Sequence, residues 1–196
     1  MKMKFQILTR TIFAGALMMF AATQLALADG PTAFRLVKLG NDYVGVQSKD
    51  KVVQIRSERS VASLTPDIWY VVYYDPDSTF KAVQVKFGAG QKMDVSHPGR
   101  ILELIGKDKD PLDTAKLKID SDQAIKLATQ QPLLKNLTIK ATQLKLEHGD
   151  LGPQWRVSLW AAKLKNPDDD TGIGSITLSS ADGSVIKNDL HPNNAD

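Results

Sequence analysis

The stretch PQWRVSLWAAKLKNPDDD, residues 153–170, puts a tryptophan at the head of an alternating strand and stops that strand with Asn166-Pro167 and three aspartates. Trp155, Val157 and Leu159 fall on one face and Arg156, Ser158 and Trp160 on the other, as the two-residue period of a strand requires. PDIWYVVYYDPDS, residues 66–78, has the same shape, with Trp69 standing 86 positions before Trp155 and Asp75-Pro76-Asp77 as the stop. A phrase written twice points to an architecture built twice.

Around the earlier copy, Lys81 to Phe87 reads as a partner strand with Val83, Val85 and Phe87 on one face. Gly88-Ala89-Gly90 makes a turn, and Gln91 to Val95 returns as a third strand of an antiparallel meander. Upstream, SKDKVVQIRSERS (48–60) is read as a helix, with Ser48 as N-cap and Val52, Val53 and Ile55 on one face. DGPTAFRLVKLGN (29–41) is read as a short strand or ordered arm.

Around the later copy, IDSDQAIKLATQQ (119–131) is a helix. Asp120 as N-cap and Gln123 three residues on form a capping box, Ile119 and Ala124 form a staple, and Ala124, Ile125, Leu127 and Ala128 form the buried stripe. Pro132 halts it. Strands are expected over Thr138–Glu147, Trp155–Leu164 and Gly174–Ser179, after which Asp182-Gly183 turns the chain into Ser184-Val185-Ile186. Ile101–Ile105 is a further strand candidate, Gly106–Asp113 a solvated loop, and the polar tail after Asn188 is expected to fray.

Each half therefore reads helix, Trp-led strand, acidic Pro-containing turn, strand, tight turn, strand. The fold class this predicts is α+β, as two tandem small modules, each a helix packed on a three- to four-stranded antiparallel sheet. The expected division is a leader at 1–28, a first module at 29–100, a linker at 101–116, a second module at 117–190 and a tail at 191–196.

The second half, with Ala124-Ile125-Lys-Leu127-Ala128 on the helix, Trp155-Arg-Val157 on a strand and Asp182-Gly183-Ser-Val185-Ile186 in the last hairpin, resembles a PepSY domain over about residues 117–188. The first half departs from that pattern, with Val52-Val53-Gln54-Ile55 in place of the alanine-bearing helix and Gly88-Ala89-Gly90 in place of Asp-Gly. The resemblance implies a small exported or membrane-tethered α+β module with an inhibitory or regulatory role, and no catalytic residues to transfer.

The first 28 residues have the form of a secretory signal peptide. Lys2, Lys4 and Arg10 precede the apolar run 11–22, and Ala26-Leu27-Ala28 supplies the cleavage site. The apolar run is shorter than the ~20 residues of a membrane span, so cleavage after Ala28 and a periplasmic location are expected, with secretion as the variant. The leader holds three of the 25 basic residues and none of the 22 acidic ones, so the rest of the chain is balanced in charge. Nucleic acid, which requires a surplus of cations, is not an expected partner. There is no cysteine, which removes disulfides, thiol catalysis and thiolate metal sites.

No catalytic constellation stands out. His97, His148 and His191 each sit beside Pro or Gly in expected loops, without metal-pair spacing. Thr171-Gly-Ile-Gly-Ser175 lacks a phosphate-loop lysine, and Asp75-Pro-Asp77 and Asn166-Pro-Asp-Asp-Asp170 suit turns better than a calcium site. No enzyme activity, cofactor or metal is expected. The candidate binding residues are Tyr70, Tyr74 and Trp160, on the strand face opposite the repeated tryptophans. The expectation is a non-catalytic binding or regulatory protein of the bacterial envelope with an envelope or secreted protein partner. The alternatives are a periplasmic small-molecule carrier with a cleft between modules, and an exported hydrolase or calcium-dependent enzyme built on the acidic turns.

Overall fold

The computed structural model describes residues 30–98 and 110–196. The expected leader, the strand at 101–105 and most of the linker lie outside the described residues. Helix α1 (Ala33–Gly40) precedes strands β1 (Val52–Ser57), β2 (Ile68–Tyr74), β3 (Ala82–Gly88) and β4 (Gln91–Ser96). Helix α2 (Ser121–Thr129) precedes β5 (Ile139–Gly149), β6 (Gly152–Ala162), β7 (Asp170–Ser179) and β8 (Val185–Leu190).

Two separate modules do not form. The strands make one eight-stranded antiparallel sheet in the order β4-β3-β2-β1-β5-β6-β7-β8. The segment read as a helix at 48–60 is the cause: β-branched Val52, Val53 and Ile55 favour a strand, and β1 presents a free edge that needs a partner. β5 supplies it, with Ile55 opposite Leu146 and Arg56 opposite Lys145. The two halves thus meet edge to edge and run outward as two meanders, with Trp69 and Trp155 on the second strand of each.

One sheet face is sealed. Trp69, Val71 and Tyr73 of β2, Val83, Val85 and Phe87 of β3, Leu144 and Leu146 of β5 and Trp155, Val157 and Leu159 of β6 share a single buried cluster with Ala33 and Leu36 of α1 and Ala124, Ile125 and Ala128 of α2. Each buried indole satisfies its N–H locally: Trp69 Nε1 donates to the Pro66 carbonyl at 2.7 Å and Trp155 Nε1 to the Ile119 carbonyl at 2.8 Å. Phe34 of α1 stacks on Trp155 with centroids 6.3 Å apart, so the first helix packs on the second meander.

The segment expected as a strand or arm at 29–41 is helical because Ala33 and Leu36 bury on one stripe. Thr32 gives α1 no side-chain cap; the other helix does. Ser121 Oγ accepts from Ala33 N at 3.0 Å and Asp120 Oδ1 from Phe34 N at 3.1 Å. Asp120 also caps its own helix, taking the Ser121 N–H at 2.7 Å in the predicted capping box. At its other end α1 closes against Tyr73, whose hydroxyl donates to the Val37 carbonyl at 2.8 Å. A Cβ on Gly40 would come within 2.1 Å of that hydroxyl, so the contact requires glycine.

The Asp182-Gly183 turn forms as expected. Gly183 has φ +76°, and Asp182, which accepts from Ser184 N and Oγ, has its carboxyl held below the usual range by those bonds. The tail does not fray. β8 runs on to buried Leu190, and a short helical turn at Pro192–Ala195 buries Ala195, whose carbonyl accepts from Leu164 N at 2.7 Å.

Candidate binding face

The outward residues of the strands form the second sheet face, and both described helices pack on the other. The strand alternation that aims Trp69, Val71 and Tyr73 at the helices aims Tyr70, Val72 and Tyr74 away from them. Registers across all eight strands align one straight row on this face: Asp94, Lys86, Tyr70, Arg56, Lys145, Arg156, Thr177 and Lys187, each directly opposite the next. Five of these eight positions are cationic, in a chain whose charge over residues 29–196 is balanced.

Arg56, Lys145 and Arg156 are direct cross-strand neighbours with no acid between them. Like charges in that position destabilise a sheet. At ~6 Å the repulsion is about 0.7 kcal/mol in water and about 3 kcal/mol at an effective dielectric of 20. Glu147 is shared by two of the three cations, meeting Lys145 Nζ and lying 3.4 Å from Arg156. Among the described residues Arg56 has no ion pair with a carboxylate, though Glu58 lies near enough to pull on its charge. Its guanidinium lies 4.1 Å from the centroid of the Tyr70 ring and donates to Gln84 Oε1 at 2.7 Å, while its Nε is buried without a hydrogen-bond partner among the described residues. Burial lowers the Arg56 pKa, against the opposing pull of Tyr70 and Glu58.

The row crosses the shortest strand pairing of the sheet, two register positions between β1 and β5. After Arg56 the regular β1–β5 pairing gives way to a mixed one: Leu144 N donates to Ser57 Oγ and Thr142 N to Ser60 Oγ, both at 2.9 Å, while Ser60 N donates to the Thr142 carbonyl at 2.8 Å. Beside this irregular pairing a cavity of about 280 Å³ opens on the cationic face, lined by Arg56, Lys145, Arg156, Ser57, Gln143 and Ser158 among others.

The sequence-predicted residues all lie on this face, half-buried, but they do not form one patch. Tyr70 is part of the row, with Lys86 Nζ 5.3 Å from its ring and its hydroxyl donating to Glu58. Tyr74 packs on a small apolar cluster of Val53, Val72 and Ala82. Trp160, separated from β2 by β1 and β5, lies 4.8 Å under Arg59, which pairs with Asp170. The cations were the residues missed. Each is an outward position of a strand, but their alignment depends on the β1–β5 register, and the helix expected at 48–60 concealed it.

The acidic motifs serve as turns here: Asp75 Oδ1 accepts from Asp77 N at 3.0 Å, and Asp169 accepts from Asn166 Nδ2 at 3.0 Å. Among the described residues no three His, Asp or Glu converge as a metal site, and no helix is long and apolar enough to cross a membrane. The three histidines are apart from one another, His97 beside Asp75, His148 on the Asp110 carbonyl and His191 beside Asp189. Comparison with protein-family models, curated proteins and solved structures finds no match to the chain. The likeness to PepSY domains rests on the residues quoted above.

Proposed function

We propose that this chain is a non-catalytic, exported binding or regulatory protein of the bacterial envelope, similar to PepSY modules, that holds a protein partner on the open face of its sheet. The observation that supports this reading is the asymmetry of the sheet. One face is closed by two helices over a continuous core, while the other carries a row of cations, three of them direct cross-strand neighbours, together with half-buried Tyr70, Tyr74 and Trp160. A surface that gives up stability in this way fits selection for binding rather than for folding. The basic and apolar leader with Ala26-Leu27-Ala28 supports export. The small-molecule carrier reading was drawn from a cleft between two modules, and β1 and β5 join edge to edge instead, so the open face is the surface on which the present reading is built.

Site-specific photo-crosslinking in cells tests this. A photo-reactive residue replacing Ser158 on the open face is expected to trap a discrete partner, and one replacing Lys126 on α2 is not. Equal products from both positions, or none from Ser158, would reject the open face as the binding surface.

A further inference from the structure

We infer that the occupant of the open face is an acidic polypeptide segment lying across the strands, with one of its carboxylates seated in the cavity between Arg56, Lys145 and Arg156. This rests on the open face being the binding surface, and it names the chemistry that surface selects.

Three observations carry it. First, of three adjacent cations two, Lys145 and Arg156, share the single carboxylate of Glu147, and the third, Arg56, feels Glu58 without an ion pair to it among the described residues, so the centre of the row carries more positive than negative charge. Arg56 is held at close range by a neutral amide and a ring. Second, the cavity adds neutral donors to those cations. Ser57, Gln143 and Ser158 line it, and a hydroxyl that accepts from Leu144 N keeps its own proton to donate. Cations with hydroxyl and amide donors suit a carboxylate, which accepts at both oxygens.

Third, the row is straight and long. From Lys86 on β3 to Lys187 on β8 it crosses six strand spacings, roughly 29 Å at the usual ~4.8 Å, the length of about nine extended residues. A single small anion fills only its centre. A nucleic-acid backbone, with a charge at every residue, would meet Glu58, Glu147, Asp94 and Asp189 beside the same cations. An acidic peptide spaces its carboxylates between other side chains. It leaves room for those four acids and offers apolar groups to the Tyr70 ring and to Trp160.

The test uses the leader-free chain and poly-L-glutamate as probe, followed by calorimetry and by tryptophan fluorescence, in which Trp160 is the only indole on the open face. Wild type is expected to bind at 20 mM salt and to lose at least tenfold in affinity at 200 mM. The double reversal Lys145→Glu/Arg156→Glu is expected to weaken binding at least tenfold. Arg35→Glu/Lys126→Glu, the same charge change on the two helices, is expected to stay within twofold. Should the double reversal fail to fold by circular dichroism, Lys145→Gln/Arg156→Gln takes its place with the same expected direction. Equal losses in the open-face and helix variants would overturn the proposal. So would binding of heparin or phosphatidylglycerol vesicles through the row without binding of poly-L-glutamate. If the Ser158 crosslink survives in the double reversal, the open face stands and the carboxylate chemistry falls; if it is missing from wild type, the broader reading falls with it.

Discussion

Replacing Lys145 by Met should make this protein more stable. Lys145 stands directly opposite Arg56 on one side and Arg156 on the other, and its compensating contact is Glu147. Methionine keeps the stem that packs on the sheet and removes the charge. The bare Coulomb figures overstate each repulsion, because Lys145 is 30% and Arg156 51% exposed and their heads can splay into water. Cross-strand pairs measured in proteins bring each down to roughly 0.2–1 kcal/mol. Losing the Glu147 pair costs a similar 0.2–1 kcal/mol, and Glu147 keeps Arg156. Two repulsions against one attraction leave a net gain of about 0.5 kcal/mol, or about 1–2 °C in Tm for a chain of this size.

Salt dependence makes that reasoning testable beyond its small size. At 20 mM salt the repulsions act in full, and Lys145→Met should melt above wild type. At 0.5 M they are screened to within a few ångströms, and the two curves should converge. Differential scanning calorimetry at both salts reads the difference directly. A variant that melts more than 2 °C below wild type at low salt, or a gap that does not change with salt, would show that the row is not electrostatically strained.

Three further outcomes follow from the packing. Asp120→Ala removes the cap of α2 and a hydrogen bond to the start of α1 together, so urea denaturation should show a loss of about 2 kcal/mol, above the ~1 kcal/mol of a single cap; a loss under 1 kcal/mol would mean that Asp120 does not couple the helices. Gly40→Ala places a methyl on the Tyr73 hydroxyl and should cost at least 2 kcal/mol, whereas Gly40→Ala with Tyr73→Phe should recover part of it; no recovery in the double variant would place the clash elsewhere. Burial raises the Tyr73 phenol above its usual pKa of 10.0, with Asp50 and Asp42 adding to it. Its neutral form is thus favoured in the fold, and the associated stability is complete below pH 10 and falls as the pH rises past it. Tyr73→Phe, read by urea midpoints from pH 8 to pH 11, should flatten that alkaline decline, and equal declines would assign it to other groups.

What the sequence disclosed and what it hid divide along a physical line. Elements specified by local patterning were legible. Asp120 and Gln123 announce a capping box, Ile68 to Tyr74 can hardly be anything but a strand, and Asp182-Gly183 needs the positive φ it adopts. Two segments were exchanged. Val52, Val53 and Ile55 fit a helical face as well as a strand over so short a run, and Ala33 to Gly40, with a hydroxyl cap borrowed from Ser121, lacks the cap that would mark it as a helix. Both errors have one source, since partners nearly a hundred residues away decide the outcome. The same holds for the candidate site. Tyr70, Tyr74 and Trp160 were placed on the correct side by alternation alone, but nothing local says that Arg56 and Lys145 face each other.

That pairing also explains why the binding face and the join between the halves coincide. Two meanders that meet edge to edge bring together strands whose sequences are far apart in the chain, and the join is short: Ile55 and Arg56 pair with Leu146 and Lys145 before serine hydroxyls enter the pairing. Beside this short and irregular pairing lies the cavity with three cations in its lining. The core on the opposite face bears the load, with Trp69 and Trp155 buried on either side of the join, so the join can be poorly paired without the sheet coming apart. A substitution that extends the ladder, such as Ser57→Val, should therefore trade cavity for pairing. It removes the hydroxyl that accepts from Leu144 N and puts a β-branched strand former in its place. Hydrogen exchange at Leu144 would separate the two results: stronger protection with weaker poly-L-glutamate binding is the outcome of a join that is kept open for its ligand, and weaker protection is the outcome of a hydroxyl that only repairs a defect.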